Sequence, residues 1–101
     1  EDEHEHEDFD STVISLGEIA EPAALAGRIE TLARDHRILR VKGYAAVSGK
    51  PMRLLVQAVG ARVRYHYDRP WAPGEARQTM LVAIAEQDAI DQPMLQAVLQ
   101  G

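Results

Sequence analysis

The sequence predicts an α+β fold, a two-layer sandwich in which two helices cover one face of a mainly antiparallel sheet of about five strands. Three observations support this prediction: segments rich in β-branched residues with alternating polar and apolar side chains, tight turns between them, and two apolar stripes with helical spacing. Helices with a single apolar stripe bury it against a sheet face. The predicted order of elements is βαββββα.

The first two predicted elements are a strand and a helix. Residues 9–16 are rich in Val, Ile, Ser and Thr and are followed by Gly17, as is typical of a strand that ends in a turn. Pro22 suits the first turn of the helix. The helix carries an apolar stripe at Leu25, Ile29, Leu32, Ala33 and His36. We interpret His36 as a side chain that stabilises the last carbonyl groups of this helix.

The middle of the chain predicts an antiparallel meander of three strands. Residues 38–47 alternate, with Leu39, Val41, Ala45 and Val47 on the core side. A turn of sequence Ser-Gly-Lys-Pro leads to a strand over 52–59, and Gly60-Ala61 forms a tight hairpin. The third strand, 62–68, is predicted to direct Tyr65 and Tyr67 toward the core.

The last part of the chain predicts a loop, a strand and a helix. Residues 69–75 contain two prolines and a glycine and predict a loop with an exposed Trp71. We expect Asp68 and Arg69 to form an ion pair in this turn. Residues 78–85 predict the fifth strand, and Asp91 is a candidate cap for a helix that buries Leu95, Val98 and Leu99.

Composition limits the classes of protein to which the chain could belong. A length of 101 residues suits one domain with one core. The net charge of −5 is misleading, because seven of the first ten residues are acidic, whereas from Ser11 onward 11 Lys and Arg face 9 Asp and Glu. Cysteine is absent, which excludes thiolate metal sites. No apolar run has the length of a membrane span. We therefore expect a cytoplasmic protein with no membrane partner.

Specific residues in the meander allow the family to be recognised. They are the strand Arg40-Val41-Lys42-Gly43-Tyr44, the strand Arg53-Leu54-Leu55-Val56-Gln57-Ala58-Val59-Gly60 and the segment Tyr67-Asp68-Arg69-Pro70-Trp71. In this order they resemble the C-terminal domain of the CobW family of P-loop GTPases, which handle metal ions. The resemblance covers 9–101 and implies the same sandwich architecture.

The resemblance also implies a function. It implies an accessory and regulatory domain of a GTP-dependent cobalt chaperone in cobalamin biosynthesis, with no enzymatic activity of its own. The implied partners are the protein's own N-terminal GTPase domain and the cobalt-inserting chelatase. GTP and magnesium would then belong to that GTPase domain.

The sequence around Gly49-Lys50 does not form a P-loop. Five residues separate Gly43 from Gly49, one more than the motif allows. Pro51 follows Lys50 where the motif requires a hydroxyl group for magnesium. We therefore expect no GTPase chemistry within this chain.

Residues 1–8 are predicted to be the end of an acidic, histidine-containing linker. Imidazole and carboxylate groups bind cobalt and zinc, and the candidate ligands are His4, His6, Glu3, Glu5 and Glu7. The alternative from composition alone is a solvated acidic linker whose two histidines are incidental. Histidine-rich linkers recur in the family that the chain resembles, and this favours weak, transient metal capture.

A basic face is the candidate docking surface. Period-2 alternation places most of its residues opposite the helices, and the predicted docking residues are Arg40, Lys42, Tyr44, Arg53, Gln57, Arg62, Arg64 and Trp71. An ordinary solvated face is the simplest alternative, and a protein-interaction or RNA-binding module is another. The small basic excess argues against a nucleic-acid partner. A small-ligand enzyme that uses Asp68 and His66 is the weakest alternative.

Overall fold

The computed structural model describes residues 8–101 and confirms the α+β fold class. Five strands form one sheet, and two helices pack on one of its faces. The elements in chain order are β1 (Phe9–Leu16), α1 (Pro22–Asp35), β2 (Ile38–Ala45), β3 (Met52–Val59), β4 (Arg62–Pro70), β5 (Thr79–Glu86) and α2 (Gln92–Gln100).

The sheet has the strand order β1-β5-β2-β3-β4, and every neighbouring pair is antiparallel. β2, β3 and β4 form the predicted meander. β5 then inserts between β1 and β2, so residues 71–78 must cross the end of the sheet from one edge toward the other. This crossing explains why the loop after β4 packs against other parts of the chain instead of projecting into solvent.

The core lies between the helices and the covered face of the sheet. Each helix contributes its stripe, Leu25, Ile29 and Leu32 from α1, and Leu95 and Leu99 from α2. The sheet contributes small and branched side chains, and its apolar ones that are at most 1% exposed are Ile14, Ala45, Leu54, Val56, Leu81, Ala83 and Ala85. Burial of this apolar surface is the main term that stabilises the fold.

The beginning of α2 and the end of α1 are capped by hydrogen bonds. Asp91 accepts a hydrogen bond from the backbone N–H of Met94 at 3.2 Å, as predicted. His36 follows the last turn of α1, and its backbone N–H, not the side chain that was predicted to do so, donates to the carbonyl of Leu32 at 3.0 Å. Neither helix within residues 8–101 is long and apolar enough to cross a membrane.

One detail of the predicted alternation is wrong at the start of β2. An irregularity in the pairing of β2 with β5 falls between Ile38 and Arg40. Because the irregularity shifts the alternation by one residue, Ile38 and Val41 are buried and Leu39 is only partly buried. The charged side chains from Arg40 onward keep the face that the sequence predicted.

Candidate docking surface

The strand register organises the face of the sheet opposite the helices, here called the open face, into three rows. Directly paired residues of antiparallel strands project to the same side of a sheet. Read from β1 to β4, the rows are Ser11, Ile84, Arg40, Val59 and Arg62; Val13, Val82, Lys42, Gln57 and Arg64; and Ser15, Met80, Tyr44, Leu55 and His66. Six of the eight residues predicted for docking therefore lie on one face, and Arg53 extends it by one strand position.

The open face has an apolar half and a basic half. The apolar half lies on β1 and β5, where Val13 is 52% exposed and Val82 is 40% exposed. Val59 on β3 is 60% exposed and lies between Arg40 and Arg62, within the basic half. A groove of about 500 Å³ lies where the halves meet, lined by Arg40, Val41, Lys42, Gln57, Ala58, Val59, Val82 and Ile84. Apolar side chains beside cations suit a partner segment that carries both apolar and acidic residues.

The apolar half was missed at the sequence level, although the sequence contains a signal for it. Residues 80–85 read Met-Leu-Val-Ala-Ile-Ala, an uninterrupted apolar run. Such a run is typical of a strand with apolar side chains on both faces. The alternation in β2 and β4 predicts only the basic part of the face.

The open-face cations, defined as Arg40, Lys42, Arg62 and Arg64, form no ion pair with another residue of the described chain, 8–101. Five other arginines do form such pairs, namely Arg34, Arg37, Arg53, Arg69 and Arg77. Exposed cations without a local counter-ion raise the positive potential of the surface around them. The open-face cations are therefore the part of the surface best suited to attract an acidic partner.

Arg53 differs from the open-face cations because a carboxylate neutralises it. Its guanidinium donates two hydrogen bonds to Asp68, one of them from Nε to Oδ1 at 3.2 Å, and lies 5.1 Å from the ring centroid of Tyr44. The two charged side chains are only 18% and 21% exposed. These hydrogen bonds hold the pKa of Asp68 below its ordinary value. Arg53 thus links β3 to the edge strand β4 through Asp68, in addition to lying on the open face.

The predicted ion pair between Asp68 and Arg69 is wrong. The pairing of β3 with β4 is irregular: Arg53 pairs with Arg69 and Leu54 with Tyr67, so Asp68 has no register partner. The side chain of Asp68 forms an ion pair with Arg53. Arg69 instead forms a bidentate pair with Glu75, at 2.9 and 2.8 Å. The guanidinium of Arg69 and the backbone N–H of Ala72 lower the pKa of Glu75 to about 2.

Trp71 is less exposed than predicted. The loop that crosses the sheet end carries its ring against Tyr44, at 5.8 Å between centroids and 73° between planes. The guanidinium of Arg77 also contacts the indole ring, at 5.7 Å from the ring centroid. The indole is partly buried and its Nε1 is fully enclosed, without a hydrogen-bond partner among the described residues. Trp71 therefore holds the loop against the sheet, while part of its ring remains accessible.

Arg77 is a residue that sequence reasoning missed. It donates to Glu18 at 3.0 Å and to the backbone carbonyls of Val47 and Lys50, each at 3.0 Å. The same contact lowers the pKa of Glu18. Because it joins three segments that are far apart in sequence, no local pattern identifies it.

The aromatic side chains of β4 lie on the opposite face from the cations. Tyr65 and Tyr67 are directed to the covered side, as predicted, yet they are 42% and 39% exposed because β4 is an edge strand. Proteins that bind single-stranded nucleic acid combine stacking rings and cations on one surface. Tyr65 and Tyr67 therefore do not share a surface with the open-face cations, although Tyr44 lies on the open face with them.

The predicted metal ligands His4, His6, Glu3, Glu5 and Glu7 lie outside the described residues. Within 8–101, no group of three or more His, Asp or Glu side chains is arranged to hold a metal ion. His66 lies on the open face beside arginines, and Asp68 is held by Arg53. The described part of the chain therefore adds no candidate ligand to those in the acidic segment.

A comparison with known families identifies the fold. The family model for the cobalamin synthesis protein cobW C-terminal domain matches residues 9–101. The chain belongs to the CobW C-terminal domain family. It is 50% identical over 98 residues to a protein named zinc chaperone CobW from Sinorhizobium sp, covering 97% of this chain and 27% of the relative.

Two further proteins are similar to this CobW C-terminal domain. A zinc chaperone CobW from Pseudomonas aeruginosa is 51% identical over 74 residues, covering 73% of this chain and 20% of the relative. The crystal structure of Zn(II)-bound YjiA GTPase from E. coli superposes with a TM-score of 0.74 and 28% identity, over 93% of this chain and 29% of that one. The chain thus spans about a quarter of the length of these proteins.

Proposed function

We propose that this domain is the docking module of a GTP-dependent metal chaperone. Its open face would bind the protein's own GTPase domain or an acidic partner enzyme, and residues 1–8 would capture the metal ion to be delivered. The observation that carries the docking role is the gathering of the open-face cations beside the apolar groove. Membership of the CobW family supports the link to a chaperone.

The names of the similar proteins support zinc as the metal ion that is delivered. Two similar proteins are named zinc chaperones, and the similar solved structure is of a Zn(II)-bound GTPase. Cobalt, and delivery to a cobalt-inserting chelatase, follow from the cobalamin-synthesis name of the family. Imidazole and carboxylate ligands accept both ions, so a direct comparison of their affinities is needed.

The docking role is tested with the GTPase domain that we expect upstream in the same reading frame, expressed as a separate protein. The double variant Arg40→Glu/Arg62→Glu should weaken association at least tenfold, because it replaces attraction by repulsion at the predicted contact. Association of the unaltered domain should also weaken as salt is added. Titration calorimetry measures both effects.

A matched control separates the open face from general charge. The variant Arg28→Glu/Arg34→Glu makes the same change in net charge at two arginines of α1, the helix that packs on the covered face. It should leave association nearly unchanged. Equal loss in both variants, or association that ignores salt and the Arg40 and Arg62 substitutions, would remove the open face from the proposal. Absence of a GTPase domain from the reading frame would remove the proposed partner.

Metal capture is tested by titrating zinc and cobalt into the complete chain and into a chain that begins at Phe9. We expect weak binding in the first and none in the second, since the proposed ligands precede Phe9. A chain with His4→Ala and His6→Ala should resemble the shortened one. Full affinity in the shortened chain would show that the ligands lie elsewhere.

A further inference from the structure

The open face lies beside the point where the most acidic segment of the chain joins the sheet. Six of the residues 1–8 are carboxylates. Asp8 begins the described chain, and its backbone carbonyl accepts a hydrogen bond from Gln87 at 3.1 Å. The next residue, Phe9, pairs with Glu86 and so projects from the same face as Ser11 and Val13. The acidic segment therefore enters the fold at one end of the open face.

The distances allow the segment to cover the open-face cations. Neighbouring strands lie about 4.8 Å apart, and each row is about 7 Å from the next. Arg40 lies one row and two strands from Phe9, about 12 Å away, and Arg62 lies one row and four strands away, about 20 Å. Gln87 holds the backbone of Asp8, so seven residues are available to cross the face, and seven extended residues span about 23 Å. The carboxylates of residues 1–8 thus reach every row that holds these cations.

Charge gives the segment a reason to bind there. The cations Arg40, Lys42, Arg62 and Arg64 form no ion pair with any residue of 8–101. A covalently attached partner acts at a high effective concentration, so even weak attraction produces substantial occupancy. The attraction is electrostatic and should weaken with salt.

We propose that residues 1–8 bind in cis across the open-face cations and compete there with the acidic partner. The competition would make docking selective, because a partner must attract the face more strongly than the attached segment does. This regulatory role rests on the proposed docking function, although the contact in cis exists without any partner. The two ideas can therefore fail separately.

Zero-length crosslinking with a water-soluble carbodiimide tests the contact directly, because the chain has only two lysines. Lys42 lies in the middle row of the open face, whereas Lys50 lies in the turn between β2 and β3 at the other end of the sheet. Peptide mapping of the monomeric product should find residues 1–8 joined to Lys42 at least five times more often than to Lys50. The preference should decrease in high salt.

Equal crosslinking of the two lysines, or no crosslink to Lys42, would overturn the proposal. Crosslinks found only in dimeric product would assign the contact to a second copy of the chain and would also overturn it. Neither outcome depends on a partner, so neither bears on docking itself.

A neutral variant then tests the competition. Replacing the six carboxylates of residues 1–8 by Asn and Gln preserves the length of the segment and removes its charge. Association with the GTPase domain should become at least threefold tighter at low salt, and the gain should disappear when Arg40→Glu/Arg62→Glu is added. Unchanged or weaker association in the neutral variant would overturn the competition, even where the unmodified domain docks normally.

Discussion

The two faces of this sheet are built from the same strands but have different roles. The covered face presents small and branched side chains that are almost completely buried by the helices, whereas the open face presents a basic half and an exposed apolar half. Adjacent residues of one strand therefore experience opposite environments. The covered face therefore stabilises the domain, whereas binding is the role that we propose for the open face.

The largest effect should come from truncating neighbouring residues of β5 that point to opposite faces. Leu81 is fully buried, and Val82 is 40% exposed. Leu81→Ala should lower the free energy of unfolding by about 2 to 5 kcal/mol, because it leaves a cavity. Val82→Ala should lower it by about 1 kcal/mol or less. Urea denaturation measures both, and similar losses would show that the open face also contributes a core.

The next effect concerns the close approach of β2 and β5. A Cβ atom at Gly43 would meet the carbonyl oxygen of Met80 and would lie 2.9 Å from the Cα of Leu81. Gly43→Ala should therefore cost about 1 to 3 kcal/mol, since backbone must shift. Gly27→Ala is the matched control, because Gly27 lies inside α1 with no atom near its Cβ position.

The control should move stability in the other direction. Alanine in a helix interior is favoured over glycine by about 0.5 to 1 kcal/mol, so Gly27→Ala should stabilise the domain slightly. Thermal unfolding of the two variants checks the pair. A tolerated Gly43→Ala would mean that the two strands lie farther apart than the structure places them.

A smaller effect should distinguish the paired and unpaired arginines of the open face. Arg53→Ala removes two hydrogen bonds to Asp68 and the contact with Tyr44, and it leaves a partly buried carboxylate without its partner. Its melting temperature should fall measurably. Arg64→Ala removes an exposed cation and should leave the melting temperature unchanged. Equal shifts would contradict the division of the arginines into structural and docking groups.

The smallest effect should be a change in acid stability. The pKa of Glu75 is lowered from 4.5 to about 2, chiefly by Arg69. Because the folded-state pKa is depressed, the contribution of Glu75 to stability is complete above pH 4.5 and is lost as the pH falls through about 2. Glu75→Gln should therefore be less stable than the unaltered chain near neutral pH, and the difference should shrink in acid. Melts between pH 7 and pH 2 measure this, and a constant difference would contradict it.

The family, the fold class and the starts of six of the seven elements follow from local signals. Alternation identified β2 and β4, the two turns that flank 52–59 identified β3, and Pro22 and Asp91 marked the beginnings of the helices. The specific residues of 39–71 identified the CobW family, which the match over 9–101 confirms. The docking role of the open face and the metal ligands in residues 1–8 remain predictions.

The environment of individual side chains could not be predicted in the same way. Trp71 became partly buried because residues 71–78 cross the sheet end, and the crossing depends on the insertion of β5 between β1 and β2. Asp68 forms its ion pair with Arg53 instead of Arg69, because the irregular pairing of β3 with β4 places Asp68 beside Arg53. Neither the strand order nor the register irregularity can be predicted from the local sequence.

Local periodicity and turn chemistry act over a few residues, and they were sufficient to specify strands, helices and the side of the sheet on which Arg40, Lys42, Arg62 and Arg64 lie. Which of the eleven cations form ion pairs depends on carboxylates elsewhere in the chain. The partner of Arg69 is 6 residues away and the partner of Arg77 is 59 residues away. An ion pair requires two groups within about 4 Å, a condition that the folded chain alone can satisfy. Local sequence therefore predicts the strands, whereas the assembly of the strands determines which cations form ion pairs within residues 8–101.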